Sequence, residues 1–361
     1  MEKKKIIIFG ILAVIVVLLG VLTAAIVSND SETGLVEPVK QTQKAEAKDS
    51  EEVDGEVDGE VKIFSDSNER PIAYMIDNNK NAQPQSNINK AFCVYEIIVE
   101  GNETRLMAIF KDLDEGTVGP IRSARHYFLD YAAEYDAIYA HLGLSPKAGD
   151  DMETYGTNNI NGQIYDTGKA REGAAIYWRD KTRKAPHNAY TSLETIKHIS
   201  DQLAYSKTTN KGTPLNYTTQ EVVLDSEDAV EATDVVIPYG AGHKVNYKYD
   251  EETGRYTRYS KGRLQTDRET GENVTTKNLI ITFASNYDLP DTENKGRQDV
   301  VTTGTLDGYY ITNGKAIKIK CEKKARQSQT VYKDLEGNEI KINDGNTWIN
   351  VCPIDADVTL N

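Results

Sequence analysis

The chain has 361 residues, 39% of them hydrophobic and 27% charged, with a formal net charge of −14 at neutral pH. That length holds two domains after an anchor is set aside. The acidic balance argues against a broad nucleic-acid-binding surface, so no nucleic-acid partner is expected.

At the N-terminus, Lys3, Lys4 and Lys5 lead into the apolar run "KIIIFGILAVIVVLLGVLTAAIV", which ends at Val27. The run exceeds the roughly 20 residues a helix needs to cross a bilayer. Nothing comparably basic follows it. The pattern predicts a cytoplasmic tail at 1–4, a single-pass transmembrane anchor at 5–27 and an exported remainder. A cleaved signal peptide is the alternative, because "LTAA" offers small residues near the end of the run. Residues 28–60 hold eleven acids and three lysines, with a short VDGE repeat. So many like charges with so little apolar surface predict a disordered acidic tether over 28–66.

From residue 67 the composition becomes globular, and the patterns predict an α/β or α+β domain over 67–212. "PIAYMID" reads as a strand, and "KAFCVYEIIVE" and "TRLMAIFKD" as two more joined at Gly101-Asn102. After Gly119-Pro120, residues Ala124, Phe128, Tyr131, Ala132 and Tyr135 recur at helical spacing, with Ser123 as the expected N-cap. "DAIYAHLG" reads as a short buried strand. "TSLETIKHISDQLAYS" reads as a helix with a Ser/Thr cap and with Leu193, Ile196, Ile199 and Leu203 on one face. Beyond Pro214 the helical signal nearly vanishes. Alternating strands turn at "ETGR", "ETGE" and the Asn-Gly of "YYITNGKAIKIK", predicting a β-rich domain over 213–361. Tyr247, Tyr249, Tyr256 and Tyr259 suit either strand packing or a surface that faces sugar or peptide.

Cys93, Cys321 and Cys352 show no metal-binding spacing, so no metal is expected. Buried free thiols are the favoured reading, with a Cys321–Cys352 disulfide as the alternative in an oxidising compartment. The chain also lacks a P-loop, a GxGxxG after a strand, a GxSxG elbow, HExxH and an EF-hand loop, so no cofactor is expected.

What remains is a set of polar residues at element ends: Asp77 and Asn78, the arginines of "GPIRSAR", His141 and Ser145, and Arg179, Arg183, His187 and Asn188 of "YWRDKTRKAPHNAYTS". Loops at strand ends are where ligands sit in open α/β sheets. Arg122 and Arg125 near a helix start oppose the helix dipole by about 0.3–1 kcal/mol each unless an anion answers them. That anion is either a carboxylate of this chain (Asp77, Asp130 or Asp180) or a bound phosphate or carboxylate. Two functions follow. One is a module that holds an anionic envelope ligand or a protein partner at an arginine-rich pocket. The other is an enzyme acting on a phosphate-bearing envelope substrate through Arg122, Arg125, Asp77 and a histidine.

The stretches "RPIAYMIDNN", "QPQSNINKAFCVYEIIVEGNETRLMAIF", "VGPIRSARHYFLDYAAEYDAIYAHLGLSP", "WRDKTRKAPHNAYTS", "DGYYITNGKAIKIK" and "GNTWINVCP" resemble the YerB-like lipoprotein family of bacterial envelope proteins, a domain family without an assigned function. The resemblance runs over nearly all of the expected exported part and implies two domains. Lipoprotein members end their signal in a lipobox cysteine, whereas "LTAAIVSND" has none; that departure implies a transmembrane-anchored form of the family.

Overall fold

The computed structural model describes residues 67–165, 176–240, 242–290 and 293–361. The tail, anchor and tether expected at 1–4, 5–27 and 28–66 lie outside the described residues. Among the described residues no helix is long and apolar enough to cross a membrane.

Three strands, Ile72–Asp77 (β1), Cys93–Ile98 (β2) and Thr104–Phe110 (β3), are buried at every position. Their near-continuous apolar composition suits strands covered on both faces. β2 and β3 form an antiparallel hairpin, and its Gly101 and Asn102 both have positive φ (69° and 57°), as the turn signal requires. β1 pairs antiparallel with β3 and parallel with Ile138–His141 (β4). The connection to β4 holds the helix His126–Ala132 (α1), which continues through a short 3-10 turn to Tyr135. Phe128, Tyr131, Ala132 and Tyr135 are all buried, as their spacing predicts. The cap differs from expectation. The N-cap is Arg125, with no side-chain cap bond, because the Ser123 hydroxyl is spent on the Leu142 carbonyl (3.0 Å).

Two longer helices follow, with the one-turn helix Gly162–Tyr165 between them. Pro146–Tyr155 (α2) is capped by Ser145, whose Oγ accepts from the Ala148 N–H. Leu193–Gln202 (α3) is capped by Ser192, whose Oγ accepts from the Thr195 N–H and which buries Leu193, Ile196 and Ile199. Between them lie a strand at Asn159–Asn161 (β5) and a hairpin of Trp178–Arg179 (β6) with Ala189–Ser192 (β7).

Strands from beyond residue 213 complete the same sheet. Asn278–Ala284 (β8), Gly304–Thr312 (β9), Lys315–Lys323 (β10) and Thr347–Pro353 (β11) run in the order β10-β9-β8-β11-β2-β3-β1-β4-β5, with Val230–Glu231 outside β10. With Val331–Lys333 paired to β10, the described sheet has eleven strands. β11 lies parallel to both β8 and β2, so the segments on either side of 212/213 share one hydrogen-bonded sheet. A second sheet is built around Asp234–Gly240, His243–Asp250 and Arg255–Ser260. The protein is therefore mostly β with few helices.

In the second sheet burial alternates, and Tyr247 and Tyr256 are fully buried while Tyr249 and Tyr259 are half-buried. Strand packing claims two of the four tyrosines outright, so they form no continuous ligand-facing surface. All three cysteines are free and buried; the alternative Cys321–Cys352 disulfide is not formed. Burial pushes the Cys93, Cys321 and Cys352 thiols up to about 12 each.

Candidate functional site

The stretch "GPIRSAR" is held by backbone on both sides. The Arg122 N–H donates to the Met75 carbonyl (2.8 Å), the Ile121 N–H to Ala189 (2.6 Å) and the Ala124 N–H to Gly143 (2.9 Å). A Cβ on Gly119 would lie 2.8 Å from the Tyr190 ring and 3.0 Å from the Ala189 carbonyl, and its φ of 151° favours glycine. This stitching brings the arginines to the ends of β1 and β4.

There they border a cleft of about 350 Å³. Asp77, Arg122, Arg125, Ser145 and His187, all expected site residues, line it. Arg105, Glu100, Glu103 and Thr104 join them from the β2–β3 hairpin, and Lys295 and Arg297 from the loop between β8 and β9. Val99 and Leu144 are its apolar flank.

Each arginine is held differently. Arg125 grips Glu100 in a two-pronged fork, Nε to Oε1 at 2.6 Å and a terminal nitrogen to Oε2 at 2.9 Å. Burial alone would raise the Glu100 carboxyl, but this fork outweighs it and holds the group below its ordinary value. Arg122 reaches Asp77 through Nε at 3.2 Å, yet that buried nitrogen makes no aligned hydrogen bond. Asp77 gives its other contacts to His187 Nδ1 (2.8 Å) and the Asn79 N–H (3.0 Å). Arg105 is only 6% exposed, donates to the Ser123 carbonyl, and has no carboxylate within ion-pair distance among the described residues. Burial first, then the neighbouring Arg125 and Arg122 charges, push its guanidinium down to about 10. The cleft thus concentrates positive charge on an acidic protein.

The remaining expected site residues do not line this cleft. Asn78 is buried and donates to Glu96 Oε1 (2.9 Å) and Thr104 Oγ1 (2.8 Å). His141 is fully buried, with Nδ1 2.8 Å from the Gly143 carbonyl and Nε2 3.2 Å from Asn159 Oδ1. Burial pushes its pKa down despite both bonds. Arg179 donates to Asn188 Oδ1 (3.1 Å), and Arg183 to the Ala82 and Pro84 carbonyls (2.5 and 2.8 Å). Asn188 donates back to the Asp180 and Arg183 carbonyls. These residues shape the turn that presents His187 and do not line the cleft.

Sequence reasoning named neither Arg105 nor Glu100. Arg105 carries a signal in hindsight, as a lone cation in the apolar run "TRLMAIF" of a buried strand. Glu100 does not, because it belongs to a turn where acids are common.

Fold and site together define a mostly-β protein with a guanidinium-lined cleft beside its central sheet. The chain belongs to the family described as "Protein of unknown function (DUF3048)": the N-terminal domain of that family matches residues 59–206 and the C-terminal domain residues 234–349. It is 34% identical over 295 residues to "Putative lipoprotein YerB" of Bacillus subtilis (strain 168), covering 79% of this chain and 81% of that protein. The crystal structure of the YerB protein from Bacillus subtilis matches with a TM-score of 0.69 at 33% identity, covering 81% of this chain and 94% of that one. The resemblance read from the quoted stretches is thereby established.

Proposed function

We propose that this chain is a membrane-associated, extracytoplasmic protein of the bacterial cell envelope that binds an anionic ligand or partner in the Arg105–Arg122 cleft. The lipoprotein name of its Bacillus relative supports the envelope location. In this reading residues 5–27 are a single-pass anchor, 28–66 a tether, and 67–212 and 213–361 the two exported domains. The observation that carries the binding role is Arg105: a guanidinium nine-tenths buried and, among the described residues, without a carboxylate at ion-pair distance, beside an Arg122 whose Nε makes no aligned hydrogen bond there. A buried cation gains most from an anion brought to it.

Thermal unfolding of the full chain in detergent tests this, with and without sulfate, phosphate or acetate. A ligand at a hundred times its Kd adds about 2.7 kcal/mol to the folded state. We expect at least one anion to raise the Tm of the wild type and not of Arg122→Gln. No response to any of the three refutes the role. One contact favours a second reading, in which the cleft turns over an anionic ester. Asp77 holds His187 by Nδ1 at 2.8 Å, the arrangement that orients an imidazole for acid–base work. Release of product by wild type and not by His187→Gln would establish it.

A further inference from the structure

Resting on the anion-binding reading, we infer that the group the cleft takes is a phosphoryl group, the tetrahedral head of a phosphomonoester, and not a carboxylate. A carboxylate is planar and is satisfied by one guanidinium fork. The cleft already contains that arrangement, complete, in Arg125 and Glu100. The donors left over come from different elements and do not form a second fork. Arg105 stands on β3 and, among the described residues, donates to the Ser123 carbonyl alone, while Arg122 comes from the loop bound to the end of β1. Ser145 lines the same cleft as the N-cap of α2, a ten-residue helix, and brings the positive end of that helix to it. His187 enters from the β6–β7 turn with Nδ1 committed to Asp77.

Donors from three separate elements, Arg105, Arg122 and Ser145, match an oxyanion that presents three oxygens in different directions. A carboxylate offers its lone pairs in a single plane and meets donors spread over separate elements less evenly. Asp77, Glu100 and Glu103 also border the cleft and repel any anion, so the ligand must gain from several cationic contacts at once. A phosphoryl dianion does so better than a monoanion. Val99 and Leu144 then flank the ester side of the group, where the attached alcohol lies.

The test is isothermal titration of the full chain in detergent micelles with inorganic phosphate, glycerol 3-phosphate and acetate. We expect phosphate and glycerol 3-phosphate to bind, and acetate to bind at least about tenfold more weakly, the factor carried by one charged contact. Arg122→Gln should weaken phosphate at least about tenfold. Arg105→Lys keeps the charge in a buried place but loses the fork, and should weaken phosphate while leaving the fold intact. Equal affinity for acetate and phosphate overturns the phosphoryl assignment and leaves the anion cleft standing; no binding of any of the three overturns both. Phosphate binding untouched by either substitution overturns the placement. The full chain reconstituted in phosphatidylcholine vesicles, with and without phosphatidic acid, distinguishes the source. Competition by phosphatidic acid against glycerol 3-phosphate assigns a lipid phosphomonoester, and its absence assigns a water-soluble one.

Discussion

Glu96 on β2 and Arg258 on the second sheet form an ion pair at 2.7 Å with both side chains essentially sealed from water. Thr104 Oγ1 donates to Glu96 Oε1 (2.7 Å), and His243 Nε2 lies 3.4 Å from that oxygen. Arg258 also stacks 4.5 Å from the centre of the Trp348 ring. Burial alone would raise the Glu96 carboxyl, but Arg258, with His243 and Thr104, holds it at about 2 against an ordinary 4.5. A carboxyl depressed by that much contributes roughly 3 kcal/mol of stability, present above the unfolded value near 4.5 and lost as pH falls toward 2. Arg258→Met keeps the volume over Trp348 and strands the carboxylate. Removing one partner of a buried pair costs about 3–5 kcal/mol, a Tm loss on the order of 5–15 °C for a protein of this size. The loss should be largest near neutral pH and shrink at low pH, where Glu96 takes up a proton in the variant. The double variant Glu96→Gln/Arg258→Met should recover most of it, because two neutral side chains leave no uncompensated buried charge. Urea unfolding at pH 7 and at pH 3.5 reads all three proteins. A single variant that costs under about 1 kcal/mol, or a loss independent of pH, refutes the reasoning.

Two further outcomes are expected. Gly308 on β9 admits no side chain, since a Cβ would stand 2.3 Å from the Ile281 carbonyl oxygen and 3.1 Å from the Cys321 sulfur. Gly308→Ala should therefore cost more than about 2 kcal/mol, read as a lowered urea midpoint. The three buried thiols, each pushed up to about 12, should stay unreactive toward a thiol-exchange reagent at pH 8 in the folded protein and react together on unfolding. Fast reaction of any one in the native state contradicts its burial.

What the sequence made legible was mostly local. The hairpin signals at Gly101-Asn102 and Asn313-Gly314 both became turns with positive φ, because the turn chemistry resides in those two residues. The Ser192 cap and the Leu193, Ile196, Ile199 face of α3 were equally local. Ser123 misled because its hydroxyl had a distant competitor, the Leu142 carbonyl, that no neighbouring residue announces. The parallel pairing of β2 with β11 was illegible for the same reason, since nothing near Cys93 specifies Thr347 as its partner. In the cleft, Asp77 was named in advance as a partner for the arginines, and Arg122 does reach it. Glu100 and Arg105 arrive from the neighbouring hairpin, so the charge balance of the cleft depends on tertiary placement.

The position of β11 also sets a timetable. Residues 347–353 emerge well after both β2 and β8 in synthesis or export, yet they fill the middle of the sheet between those two strands. Until they arrive, both neighbours present bare backbone edges able to pair with any passing strand. Contacts this remote in sequence also form slowly. Completion of the sheet therefore waits for the segment 347–353. In the interval the protein depends on whatever shields open strands in its compartment, and a ribosome or translocase that stalls before residue 347 releases an aggregation-prone fragment.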